Sequence, residues 1–306
     1  DLPLKVGLIG LDTSHVIAFT GLLNDKDNPS HVPGATVTAA YRGGSVDIPA
    51  SINRVRGFTT TLTEKYGVRI YEDIAKMCEE VDAILLTSLD GRTHLEQVRP
   101  VLAAGKPVFI DKPVAGSLKD AVKIFQLAED AGVPCFSSSS LRWYPGVVEV
   151  ATADFGELRA ALSYGPATSE PHHPSLFWYG IHAAEALFTV MGPGCQSVVA
   201  TESSGAIVVT GKWNNERIGT LHGIRDGKTS FKVTAFGSGV EFIQWFERNA
   251  RQVDVVVSDV VMPDLSGPEV WATIIKSHPD LPFIFLTGYA GESISHYAIP
   301  AEMILS

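Results

Sequence analysis

Over the first 140 or so positions, short apolar runs alternate with longer stretches of helical periodicity. The apolar runs are Lys5–Gly10, Ala35–Tyr41, Val81–Thr87, Pro107–Ile110 and Val133–Ser138, with Arg69–Tyr71 as a shorter one. They lack the every-second-residue alternation of a half-exposed strand, which predicts strands covered on both faces of a parallel sheet. Helices are predicted from about His15 to Asn24, Thr60 to Tyr66, Ile74 to Glu80, His94 to Ala104 and Leu118 to Ala131, the last two stopping at Gly105 and Gly132. Strands that alternate with helices imply right-handed crossovers and a doubly wound sheet. In such sheets the ligand crevice lies at the carboxyl ends of the strands. Residues 10–15, 41–44, 87–94, 111–113 and 137–142 all follow strand ends and are expected to converge there.

The texture changes after Pro145. Leu158–Tyr164, Ser197–Glu202, Ala206–Lys212, Arg217–Gly223 and Phe231–Ala235 are strand candidates separated by short turns, with one helix at Gly180–Met191. This predicts an α+β domain built on a mainly antiparallel sheet. After Gly239 the β/α alternation returns: helix Val240–Asn249, apolar strand Val253–Ser258, helix Pro268–Ser277, strand Phe283–Leu286. The expected division is 1–145, a Rossmann dinucleotide-binding domain; 146–238, an α+β substrate or oligomerisation domain; and 239–306, a partial flavodoxin-like fragment.

A chain of 306 residues with 45% hydrophobic and 19% charged residues has enough apolar mass for such cores and is not a disordered sequence. Its net charge of -10 opposes phosphate backbones, so nucleic acid is not an expected partner. Cys78, Cys135 and Cys195 are odd in number and far apart, which suits a reducing cytoplasm better than a disulfide framework. No apolar run is long enough for a membrane helix, and the chain opens into a strand with no leader-like segment. It does not begin with Met, so a trimmed form with a leader already removed stays open.

The turn Gly10-Leu11-Asp12-Thr13-Ser14-His15 stands where a dinucleotide fold carries G-x-G-x-x-G, and only the first glycine is present. Asp12 brings negative charge to the place of the second glycine. Thr13 and Ser14 offer hydroxyls, and the following helix offers its positive end to an anion. The alternative reading is that Asp12, Thr13 or Ser14 only caps that helix. After the second strand, Tyr41-Arg42 replaces the acidic residue that binds ribose hydroxyls in NAD enzymes. Arg42 could pair with a 2′-phosphate and Tyr41 could stack on adenine, or both could be ordinary loop residues.

Ala104-Gly105-Lys106-Pro107-Val108-Phe109-Ile110-Asp111-Lys112-Pro113 resembles the A-G-K-x-V-x-x-E-K-P signature of the glucose–fructose oxidoreductase/inositol dehydrogenase (Gfo/Idh/MocA) family, with Asp111 for Glu. Thr87-Ser88 followed by His94 resembles the family's T-x-x-x-x-H stretch, Arg142 follows its next strand, and Gly180-Ile-His-Ala-Ala-Glu185 resembles its G-x-H-x-x-D helix. The resemblance runs in order over roughly residues 4–236. It implies an NAD- or NADP-dependent oxidoreductase acting on a sugar, polyol or related small hydroxyl compound, in a chain that often forms homo-oligomers. By the same resemblance Lys112 binds and polarises the substrate oxygen and His182 is acid or base. Gly10 to His15, Tyr41, Arg42, Thr87, Ser88, His94, Asp111, Lys112, Pro113 and Arg142 would then surround the cofactor. One departure stands out: many sugar dehydrogenases of the family carry Asp four residues before the histidine, where this chain has Trp178, with His172 and His173 on the preceding loop. No metal is expected, since adjacent histidines on a loop are more often solvent-facing than ligating.

Val253 to Gly267, with Asp259 and Met262-Pro263, is similar to the phospho-acceptor stretch of a response-regulator receiver domain, and Phe283 to Tyr289, with Thr287, to its next strand. The resemblance implies that Asp259 takes the phosphoryl group and Thr287 contacts it. The acidic pair after a receiver's first strand has no counterpart, which would deprive Mg²⁺ of most of its carboxylate ligands. Asp259 and Thr287 are therefore expected to be vestigial, and the fragment is expected to add its strands to another surface. The rival reading of the whole chain is an inactive fusion that keeps the fold without turnover.

Overall fold

The computed structural model describes residues 2–152, 158–227, 230–236, 239–253, 256–259, 265–286 and 304–305. The first domain runs β1 (Leu4–Ile9), α1 (His15–Asn24), β2 (Ala35–Tyr41), α2 (Pro49–Tyr66), β3 (Arg69–Tyr71), α3 (Ile74–Cys78), β4 (Ala83–Leu86), α4 (His94–Ala103), β5 (Val108–Asp111), α5 (Leu118–Ala131) and β6 (Cys135–Ser138). The six strands are all parallel, in the order β3-β2-β1-β4-β5-β6. This is the doubly wound order whose strand sequence reverses between β1 and β4. Successive residues of β1 point to opposite faces: Leu8 packs with Val6, Val37 and Leu62 on one side, and Ile9 with Ile84, Val98 and Ile110 on the other. The apolar runs thus cover both faces, as a parallel sheet requires.

Helix α2 is longer than its periodicity announced, because Gly57 and a threonine-rich stretch hide its first half. Pro49 sits in the first turn, where its fixed φ suits a helix start. Thr59, Thr61 and Thr63 return their hydroxyls to the carbonyls of Val55, Gly57 and Thr59.

The second domain contains α6 (Pro145–Thr152), β7 (Ala160–Pro166), α7 (Ile181–Met191), β8 (Cys195–Glu202), β9 (Ala206–Trp213), β10 (Ile218–Ile224) and β11 (Lys232–Phe236). Its sheet order is β11-β7-β10-β9-β8. It is mixed: β7 and β10 pair in parallel while the other three pairs are antiparallel. Helix α6 had no clear sequence signal. Helix α7 lies against the sheet and buries Ala183, Ala186, Leu187, Val190 and Met191 with Ala161, Trp213 and Leu221.

The last segment holds α8 (Gly239–Asn249), β12 (Val256–Asp259), α9 (Gly267–Ile274), β13 (Phe283–Leu286) and β14 (Ile304–Leu305). Among the described residues its three parallel strands pair with one another, in the order β12-β13-β14, over a core of Phe246, Val270, Ile274, Phe283 and Phe285. The expectation that they would join another sheet of the chain is not met among the described residues. The described residues of α8 and α9 contribute to this one core.

Trp213 anchors the second core: its side chain is buried and its indole N–H donates to the Gly192 carbonyl at 2.8 Å. Trp213→Ala should cost about 3–5 kcal/mol through the cavity and the orphaned carbonyl. A urea midpoint unchanged by the substitution would contradict this packing.

Candidate active site

Gly10 ends β1 with φ +89, and a Cβ there would lie within 2.4 Å of Ser88. The first turn is therefore flush against the tip of β4. Thr87 donates its hydroxyl to the Gly10 carbonyl at 2.9 Å, and Ser88 donates to Gln97 at 2.7 Å. His94 is fully buried, with one ring nitrogen 2.8 Å from the Ser88 carbonyl and the other 3.2 Å from the Val114 carbonyl. Burial lowers its pKa. Thr87, Ser88 and His94 thus fasten the tips of β1, β4 and β5 to one another through backbone atoms.

Asp12, in place of the second glycine, is 1% exposed. It accepts hydrogen bonds from the Ser51 hydroxyl at 2.6 Å and the Leu89 N–H at 3.0 Å. Burial outweighs these bonds and raises its pKa. The same loops carry a second buried carboxylate. Asp90 accepts from the Ser45 hydroxyl at 2.6 Å and from Arg92, and lies 3.3 Å from Nε2 of His173, on the loop before α7. Nδ1 of His173 lies 3.0 Å from Glu170, and its ring packs on Trp178 with centroids 5.0 Å apart. Burial alone would raise the Asp90 pKa, but the bonds from His173, Arg92 and Ser45 prevail and lower it. His173 is the mirror case: burial pulls it down, and the two carboxylates carry it above the ordinary value. Ser45, Ser51, Asp90 and Glu170 had no motif to announce them.

Asp12 is turned away from the α1 terminus and its oxygens are taken up by Ser51 and Leu89. The first turn of α1 holds no acidic residue, and the N–H groups of Thr13 and Ser14 have no partner among the described residues. Free N–H groups at a helix start suit an anion. Ser14 is exposed at this helix start and its N–H fits an anion, while Leu11, Asp12 and Thr13 are buried beneath.

At the tip of β5, Asp111 lies 2.5 Å from Nδ1 of His15 and accepts from the Lys112 N–H at 2.9 Å. Lys112 leads into Pro113 through a cis peptide bond. His182, 9% exposed on α7, faces this cluster from the second domain. Its Nδ1 lies 2.7 Å from the Ser139 hydroxyl, and the rings of Tyr179 and Phe231 flank it at 5.3 and 5.4 Å. Burial, then the Lys112 charge, lowers its pKa to about 4 against the opposing pull of Asp111. One turn along α7, Glu185 accepts from the Ser139 N–H and from Arg142, each at 2.7 Å. Arg142 therefore ties α7 to the β6 tip.

Arg42 pairs with Glu72 at the end of β2. Tyr41 packs one side against the first-domain core and is half-buried. His172 and His173 are engaged by carboxylates, and no group of three or more metal-ligating side chains occurs among the described residues. Asp259 ends β12 opposite Leu286, and Thr287 lies outside the described residues. No helix among the described residues is long and apolar enough to cross a membrane.

With this geometry in place, comparison with known proteins gives the class. Residues 44–139 match the model of the oxidoreductase family Gfo/Idh/MocA, described as an NAD-binding Rossmann fold, and residues 219–304 match the response regulator receiver domain. Residues 44–139 are thus similar to the Gfo/Idh/MocA oxidoreductases, and residues 219–304 to receiver domains. The receiver match begins within β10, yet β10 and β11 pair in the second-domain sheet. An inositol 2-dehydrogenase of Paracoccus denitrificans is 30% identical over 155 residues, covering 50% of this chain and 41% of that protein. The sensor kinase CckA of Brucella abortus is 36% identical over 104 residues, 34% of this chain and 11% of its own length. The chain thus spans less than half of either relative. Among solved structures, GenD2 from gentamicin A biosynthesis in complex with NAD aligns at TM-score 0.62 and 18% identity, covering 77% of this chain and 69% of that one. The scyllo-inositol dehydrogenase of Lactobacillus casei aligns at 0.57 and 19%, covering 76% and 71%. These likenesses establish the fold.

Because the folded pKa of His173 is raised, the stability it adds is complete below the ordinary histidine value and disappears as pH climbs through the raised value. Against His173→Gln, the parent should be more stable at pH 6 by about 1.5–3 kcal/mol, the range for a hydrogen bond to a charged group. The gap should narrow by pH 9. Urea titrations giving a pH-independent gap would refute the two-carboxylate clamp.

Proposed function

We propose that this protein is a nicotinamide-dinucleotide-dependent oxidoreductase acting on a sugar, polyol or related hydroxyl compound. One observation carries the reading: the Asp111-Lys112 pair at the tip of β5 meets His182 of α7 across the domain boundary, close enough for the lysine charge to depress the histidine. The likeness to inositol 2-dehydrogenases supports the hydroxyl substrate, and the family model supports the dinucleotide.

Ser14 and the α1 terminus would hold the diphosphate, and the β4 and β5 tips the nicotinamide half. When bound, the nicotinamide accepts or returns a hydride. Oxidation of an alcohol also releases a proton, and a base must hold it. His182 is unprotonated at physiological pH and so can accept that proton, which a ring lowered to about 4 passes on rather than keeps. Ser139 both donates and accepts, so it can support either tautomer of the ring. Lys112 supplies positive charge for the substrate oxygen as that oxygen becomes more negative. Asp111 orients this end of the site by bonding the Lys112 N–H and His15. Tyr179 and Phe231 flank His182 with apolar surface, which keeps its charged form costly.

Assay of a polyol panel with NAD⁺ and NADP⁺ tests the reading. Lys112→Met and His182→Asn should each lower kcat/KM by about 10²–10⁴, the usual share of a proton-transfer residue, while NADH or NADPH still binds. The parent's rate should show no histidine titration between pH 5 and 7, since His182 stays neutral down to about 4. Nucleotide binding with no hydride transfer on any member of the panel would overturn the proposal in favour of a non-catalytic fusion.

A further inference from the structure

His182 gives up a proton readily, so a turnover that loads it needs a second group to receive that proton. Its surroundings offer few. Ser139 and Tyr179 are very weak bases, Phe231 has no acceptor, and Lys112 is a cation without one. Asp111 has acceptors, but its side chain is only 7% exposed and already bonds His15 and the Lys112 N–H. His15 remains.

His15 opens α1 in the place of a dinucleotide loop's third glycine. A glycine there would have nothing to titrate. This side chain instead reaches the tip of β5, where Nδ1 lies 2.5 Å from Asp111. The carboxylate fixes the orientation of the ring and compensates a positive charge on it. Phe19 packs against the ring, with centroids 5.7 Å apart. Nε2 has no hydrogen-bond partner among the described residues. The side chain is 37% exposed, whereas His182 is buried.

Both histidines stand on the same pair of strand tips. Asp111 lies opposite Ser138 in the β5–β6 register, and the next residue, Ser139, bonds Nδ1 of His182. Nε2 of His182, like Nε2 of His15, has no hydrogen-bond partner among the described residues.

We propose that His15 is a catalytic residue of this site, which takes the substrate's proton from His182 and delivers it to solvent. The proposal rests on the oxidoreductase reading above and adds the proton's way out. As the alcohol is oxidised, its O–H bond breaks and the proton bonds to Nε2 of His182. The hydride leaves the same carbon for the nicotinamide, and a carbonyl remains. The Nε2–H bond of His182 then breaks and the proton bonds to Nε2 of His15, giving an imidazolium paired with Asp111. Transfer from His15 to water or a buffer base restores the neutral ring. In the reducing direction the same steps run backwards.

Rescue by an external base tests the assignment, because free imidazole replaces a missing side chain only where that side chain carries a proton. With the panel polyol that the parent oxidises fastest, His15→Ala should lower kcat by about 10²-fold, the lower end for a proton-transfer residue. KM and dinucleotide binding should stay close to the parent's. Imidazole added at fixed pH and ionic strength should raise the variant's kcat in proportion to its concentration. The parent's rate should not respond, since its own exit outpaces hydride transfer. His15→Gln keeps a donor toward Asp111, which guards against a folding defect, and should show the same loss and the same rescue. Parent-like kcat in both variants, or a loss that imidazole leaves untouched, would overturn the proposal, while hydride transfer by the parent would keep the oxidoreductase reading standing. A parent that transfers no hydride to NAD⁺ or NADP⁺ would bring down that reading and the proposal with it.

Discussion

The proposed site depends on one junction, where α7 of the second domain is tied to the tip of β6. Glu185 accepts bonds from the Ser139 N–H, the Ser138 hydroxyl and Arg142, while His182 engages Ser139 from one turn earlier. A largely buried carboxylate with three donors is satisfied, and removing one of them would leave charge without compensation. The junction carries His182 over the parallel sheet and sets it against Asp111 and Lys112. A second tie, His173 between Asp90 and Glu170, holds the preceding loop against the tip of β4. Two domains with separate cores therefore share one site through a few polar contacts.

The parallel domain was readable in the sequence because its signal is redundant. Apolar runs, glycine stops and crossover spacing all indicate the same plan, and strands such as Ala35–Tyr41 and Arg69–Tyr71 fall at their expected bounds. The site was readable only where a motif concentrates it, at Asp111-Lys112-Pro113 and around His182. Its supports were not. Ser45, Ser51 and Ser139 become visible only when loops distant in sequence are folded together, and a serine alone carries no distinguishing pattern. The run Ser137–Ser140 looked like low complexity, yet Ser138 and Ser139 have definite partners. Asp12 was read as an obstacle to phosphate, and folding turns it beneath the turn and bonds it there.

The C-terminal segment illustrates how local sequence can override family boundaries. Its receiver likeness begins within β10, but β10 and β11 complete the second-domain sheet in regular register with β7 and β9. Cross-strand pairing is strongly specified once one face is buried, and that constraint decides which sheet the strands enter. The described strands that follow close a small core of their own around Phe246 and Phe285. The described site residues of the oxidoreductase half lie outside this core.

The central claim is that Lys112 and His182 are neighbours in one site although they stand beside separate hydrophobic cores. A histidine NMR titration tests it without substrate or cofactor. The account predicts that His182 stays neutral on acidification until about pH 4, and that Lys112→Met moves its titration upward because a positive neighbour is gone. A His182 resonance that titrates near the ordinary value and ignores the loss of Lys112 would contradict it.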